Sequence, residues 1–106
     1  MLLLIVSFTH SNFIFADSTR LRALPALQAV VAQSKIDPKL IDDIAVGNVL
    51  PPGGGATVAR MAALWAGIPN TTALNTLNRQ CSSGLAATNQ IANEIKTGQI
   101  DIGIGE

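Results

Sequence analysis

Five consecutive residues, Pro51-Pro52-Gly53-Gly54-Gly55, constrain the fold of this chain more than any other stretch. The prolines withdraw two backbone donors and stop a strand, and the glycines open conformations with positive φ. Ahead of them lies Ile44–Leu50, a short apolar run bounded on its other side by Asp42-Asp43. Its length and composition predict a strand buried on both faces. Behind them, Ala56 to Ala66 reads as a helix with Val58, Met61, Leu64 and Trp65 on its apolar side; Gly67 suits its C′ position and Pro69 forbids continuation. Glycine-rich turns between strand and helix also hold phosphates. This one lacks both a Gly-Lys-Ser/Thr ending and a GxGxxG pattern, so it is read as a turn.

The same alternation runs along the rest of the chain. Leu24, Leu27 and Val31 mark one face of a helix reaching about Ser34, and Pro25, tolerated in a first turn, places its start near Leu24. Asp37-Pro38 predicts an N-cap and a short turn through Ile41. Thr71–Leu77 is a second strand candidate, Ser82–Thr97 a long helix stopped by Gly98, and Ile100, Ile102 and Ile104 alternate with Asp101, Gly103 and Gly105 as a strand does. Leu2–Val6 is either a further buried strand or sequence outside the fold. The order predicts an α/β fold with a mainly parallel sheet.

Length and charge bound the possibilities. At 106 residues the chain holds at most one domain. A net charge of +0 excludes a polybasic nucleic-acid footprint, and 48% apolar residues exclude a largely disordered chain. Only 13% of residues are charged, few for a small domain with much surface to solvate, and this predicts cover by further protein. Residues 1–16 carry no Lys, Arg, Asp or Glu, yet are too short and too interrupted for a membrane span. They lack the basic start of a signal peptide, although Ala16 offers a poor cleavage site; a small secreted or membrane-attached protein is the weakest reading they leave.

One cysteine makes no internal disulfide, and one cysteine with one histidine makes no tetrahedral zinc site. His10 belongs to no motif and reads as a bystander. Asp42, Asp43 and Asp101 have no calcium-loop spacing and are expected to flank strands and stay hydrated. Arg60 and Arg79 are candidates for internal ion pairs or an oligomer interface. Cys81 differs from all of these. It follows a strand and opens a helix, in the run Asn78-Arg79-Gln80-Cys81-Ser82-Ser83-Gly84. Unpaired N–H groups and the helix dipole favour an anion at such a point, and a thiolate is one. The same donors suit the oxyanion formed when a thiolate attacks a carbonyl. Gly84 would let a chain segment or substrate approach the helix closely. The competing reading is an inert, buried free cysteine.

The run Asn-Arg-Gln-Cys-Ser-Ser-Gly-Leu at 78–85 closely resembles the nucleophile motif of thiolases, and best that of peroxisomal, degradative 3-ketoacyl-CoA thiolases. Lys35–Leu50, the Pro-Gly loop with Ala59-Arg60-Met61-Ala62, and Asn89–Gly105 resemble the family in the same order, so the likeness covers Leu24 to Gly105. It implies a thiolase-like α/β fold, incomplete: residues 24–106 as part of the N-terminal domain, and residues 1–23 as a divergent segment, a strand or non-native sequence. It implies an acetyl-CoA C-acyltransferase of fatty-acid β-oxidation, with Cys81 as the nucleophile that forms an acyl thioester and lends its backbone N–H to the oxyanion. Coenzyme A thioesters would be the substrates, with no metal or other cofactor, and a homodimer the assembly. The family's Gly-His-Pro histidine and Cys-x-Gly-Gly-Gly cysteine have no counterpart here, so the isolated chain is expected to be inactive. The alternative is a non-catalytic thiolase-like module that pairs with a longer thiolase subunit. The resemblance implies a peroxisomal setting. The N-terminal peroxisomal signal pattern fails, because Arg20-Leu21 is followed by Leu27 where His or Gln is required.

Overall fold

The computed structural model describes residues 3–6, 18–51 and 55–106. In chain order these form strand β1 (Leu3–Val6), helix α1 (Ser18–Ser34), a 3₁₀ turn (Pro38–Leu40), β2 (Asp43–Gly47), α2 (Ala56–Trp65), β3 (Ala73–Leu77), α3 (Ser83–Lys96) and β4 (Ile102–Gly105). The four strands make one parallel sheet in the order β1-β4-β2-β3. The α/β reading and the parallel sheet therefore hold, and the N-terminal strand is part of the sheet. Asp37 accepts the Lys39 N–H at 3.0 Å, as its N-cap reading requires.

Helices α1 and α2 cover one face of the sheet, where Leu27, Val30, Ile44, Val46, Ile68 and Ile104 share a core. The other face belongs to α3, whose Ala87, Ile91 and Ile95 pack on Ala45. Strand β2 feeds both cores, so its continuous apolar run is the pattern of a strand with no wet face. Because β4 lies on the far side of β2 from β3, α3 must cross over β2 to reach it. Gly103 and Gly105 let it pass close: a Cβ on Gly105 would sit 2.6 Å from the Thr88 Cα.

Four expectations are corrected. Helix α1 starts at Ser18, not near Leu24, and carries Pro25 inside it. Pro25 leaves one carbonyl of the preceding turn without its donor, a penalty of about 3 kcal/mol in an exposed helix interior. Burial of Ala26, Leu27 and Val30 immediately after it holds the helix in place. Strand β2 stops at Gly47, opposite Leu77, the last residue of its neighbour β3, and Leu50 is 88% exposed. Strand β3 starts at Ala73; Thr72 is buried before it, its hydroxyl donating to the Ile41 carbonyl at 2.9 Å. Finally, α2 buries Ala59, Ala62 and Ala63, while Met61, Leu64 and Trp65 face outward. The small alanine face permits close packing on α1 and the sheet, which a Leu/Trp face would prevent.

Candidate active site

Strand β3 delivers the chain to the carboxyl end of the sheet, and α3 leaves from Ser83. Residues 78–83 between them form a tightly bonded turn. Gln80 sits at φ 52°, in the left-handed region, and its N–H donates to the Asn78 Oδ1 at 2.9 Å. Ser83, only 4% exposed, accepts the Arg79 N–H at Oγ (2.8 Å) and donates that hydroxyl to the Gln80 carbonyl (2.6 Å). The Asn78 Nδ2 donates to the Val49 carbonyl at 3.3 Å, tying the turn to the segment that follows β2. Gly47 seats the helix start, since any Cβ there would collide with the Ser83 and Gly84 backbone.

Cys81 stands at the outside of this turn, a free and exposed thiol. It lies one residue ahead of the helix N-cap, Ser82, rather than on the first helical turn. Two donors expected to face the thiol are committed elsewhere: the Ser82 and Ser83 N–H groups donate to the Arg79 and Gln80 carbonyls at 3.2 and 3.1 Å. Being exposed, Cys81 is not a buried core thiol among the described residues. An open hollow of about 410 Å³ is lined by Arg79, Ser82, Leu85, Ala86 and Asn89, among them both a turn residue and the N-cap of α3; Cys81 is not part of its lining. The close approach foreseen at Gly84 is made instead through Gly47, while Gly84 has only ordinary contact with the Glu106 backbone.

The remaining candidates fall elsewhere. His10 lies outside the described residues, as do Pro52–Gly54. Asp42 bridges to β4, its Oδ2 accepting the Asp101 and Ile102 N–H groups at 3.0 and 3.1 Å. Asp43 is half-buried rather than hydrated. Burial raises its carboxyl above the ordinary value, with Glu94 adding to the rise, against its bond from the Ile44 N–H and the pull of Arg60. Arg60 donates to the Thr72 carbonyl at 2.8 Å, and its other terminal nitrogen is buried without a partner among the described residues. Among the described residues no three His, Cys, Asp or Glu side chains converge as a metal site, and no helix is long and apolar enough to cross a membrane.

Sequence reasoning passed over Ser83, Gly47 and Glu106. The Glu106 backbone extends the pairing of β4 with β2, donating to the Ala45 carbonyl (3.0 Å) and accepting the Gly47 N–H (2.6 Å). Its Oε2 is buried with no hydrogen-bond partner among the described residues, and burial pushes the carboxyl up to about 7.

A strand, a left-handed turn with an exposed cysteine and a helix at the carboxyl end of a parallel sheet match a known domain. Residues 8–105 fit the family described as thiolase, N-terminal domain. The chain belongs to the thiolase family. The peroxisomal 3-ketoacyl-CoA thiolase of Yarrowia lipolytica is 56% identical over 93 residues, which are 87% of this chain and 22% of that protein. 3-Ketoacyl-CoA thiolase B of Mus musculus, also peroxisomal, is 50% identical over 91 residues, 85% of this chain and 22% of that one. Among solved structures, the peroxisomal 3-ketoacyl-CoA thiolase of Saccharomyces cerevisiae superposes with a TM-score of 0.75 at 48% identity, over 80% of this chain and 26% of the yeast chain. The yeast thiolase is described as five-layered, built from two core domains of identical topology, and as dimeric. This thiolase chain thus spans about a quarter or less of the relatives it matches.

Proposed function

We propose that this chain carries the nucleophile segment of a 3-ketoacyl-CoA thiolase acting in the peroxisome, with Cys81 as the attacking thiolate. The observation that supports this most is the exposed thiol held on a bonded turn between strand and helix, inside a segment 56% identical to a peroxisomal thiolase. In the proposed reaction the Cys81 sulfur attacks the C3 carbonyl of a 3-ketoacyl-CoA. The C2–C3 bond breaks, the shortened acyl group stays on sulfur as a thioester, and the C2 carbanion takes a proton and leaves as acetyl-CoA. The thiol of a second CoA then takes the acyl group. Covalent catalysis divides one difficult C–C cleavage into two thioester steps.

This chain has one cysteine and one histidine, so no second thiol is available to handle the proton on the acetyl carbanion. We infer that the 106-residue chain alone does not turn over, and that a thiolase carrying this segment works as a dimer, the state in which the yeast relative is described. Two measurements test the reading. The isolated chain, given acetoacetyl-CoA and CoA, is expected to consume thioester no faster than its Cys81→Ser variant; faster consumption refutes the inactivity. Residues 24–105 grafted in place of the matching segment of the Yarrowia lipolytica thiolase are expected to give an active chimera. Cys81→Ser should lower its kcat about 10³-fold or more. An active Cys81→Ser chimera refutes the assignment of the nucleophile.

A further inference from the structure

We propose that Ser83 is a positioning residue for Cys81, its hydroxyl holding the left-handed turn that presents the thiol; this rests on the reading of Cys81 as the nucleophile. A serine at the start of a helix ordinarily turns its hydroxyl forward, to cap the helix's own free N–H groups. Here neither serine does so. Ser82, in the N-cap position, makes no side-chain cap bond, and the Ser83 Oγ reaches backward, accepting from Arg79 and donating to Gln80. Those two residues immediately precede Cys81, and Gln80 has φ 52°. A non-glycine residue in that region is disfavoured, so something outside the residue must hold it there.

Ser83 suits that task. It is 4% exposed, so water does not compete for its bonds. Its own backbone is fixed against Gly47, where β2 ends. The hydroxyl therefore connects a rigid strand end to the two peptide units that set the direction of the Cys81 side chain. Its single proton goes to the Gln80 carbonyl and its lone pair takes the Arg79 N–H, which uses the donor and acceptor capacity of the group in one geometry. Removing the oxygen frees the Arg79 N–H and leaves the Gln80 carbonyl with the Ser83 N–H alone, and the turn relaxes toward a right-handed conformation at Gln80. The thiol then samples directions away from a bound carbonyl. Misplacement of a reacting group by about 1 Å costs on the order of 10²-fold in rate.

The chimera described above reads this out. Ser83→Ala is expected to lower kcat about 10- to 100-fold with KM changed less than about twofold, because binding is untouched while presentation of the sulfur is lost. Ser83→Thr keeps the hydroxyl and is expected to recover kcat to within about threefold of the parent. Thermal unfolding of each variant separates this from a merely structural role, which would lower Tm and leave kcat alone. A Ser83→Ala chimera whose kcat stays within twofold of the parent overturns the positioning role, and so does a Ser83→Thr chimera as slow as Ser83→Ala. The nucleophile reading is judged separately: loss of activity in Cys81→Ser with unchanged kcat in Ser83→Ala leaves Cys81 standing and removes Ser83.

Discussion

Glu106 shows how one side chain ties this fold to pH. Its carboxyl is buried beyond β4, has an oxygen without a partner among the described residues, and is pushed up to about 7 in the folded chain against an ordinary 4.5. Burial disfavours the charged form, so the folded state keeps the proton to higher pH than the unfolded state does. Its contribution to stability is therefore fully present below about pH 4.5 and is lost as pH rises through about 7. Denaturant unfolding should show a falling midpoint between pH 5 and pH 8, and Glu106→Gln should flatten that fall. A variant with the same pH dependence as the parent would mean that Glu106 is not the titrating group. The place of Cys81 between a strand and a helix belongs to the same scale but was legible for a different reason. A helix-start thiol in a distinctive run of eight residues carries local information, whereas the burial of Glu106 depends on strands distant in sequence.

At the scale of elements, Gly47 decides where the helix that follows Cys81 begins. Its absent side chain admits the backbone of Ser83 and Gly84, and a lone glycine inside the apolar run Ile44–Leu50 is the signal of such a close approach, though it does not say which segment arrives. Gly47→Ala forces a rigid backbone contact apart, and overpacking of this kind costs about 1–3 kcal/mol or more. Urea unfolding is expected to show that loss, and a variant within about 0.5 kcal/mol of the parent would contradict the packing. The existence and order of the elements were readable because each carries its own punctuation: Asp37-Pro38, the Pro-Gly run, Gly67 and Gly98. What misled were positions where tertiary packing overrides a local rule. Pro25 broke the expected helix start, and the bulkiest residues of α2 turned out to point away from the core. A hydrophobic period locates a helix but does not say which side is covered when alanines line the other.

For the whole molecule, the low charge noted in the sequence becomes a statement about surfaces. Trp65 (66% exposed), Leu64 and Met61 lie at i, i+3 and i+4 spacing on the outer side of α2, and Leu85 (71% exposed) stands on the outer side of α3. Both helical layers therefore show apolar groups to solvent, and β3 closes the sheet on one side as an unpaired edge among the described strands. Exposed apolar clusters and open strand edges both favour association. With a net charge of +0, little electrostatic repulsion opposes it. The isolated chain is expected to sediment above its monomer mass of 11.0 kDa as its concentration rises. Exchanging Leu64 and Trp65 for lysine removes the larger part of the α2 patch and adds like charges. That variant should shift the distribution back toward monomer without changing the circular dichroism of the fold. If its mass distribution matches the parent at every concentration, α2 is not the surface responsible, and the edge of β3 or the outer side of α3 carries the association instead.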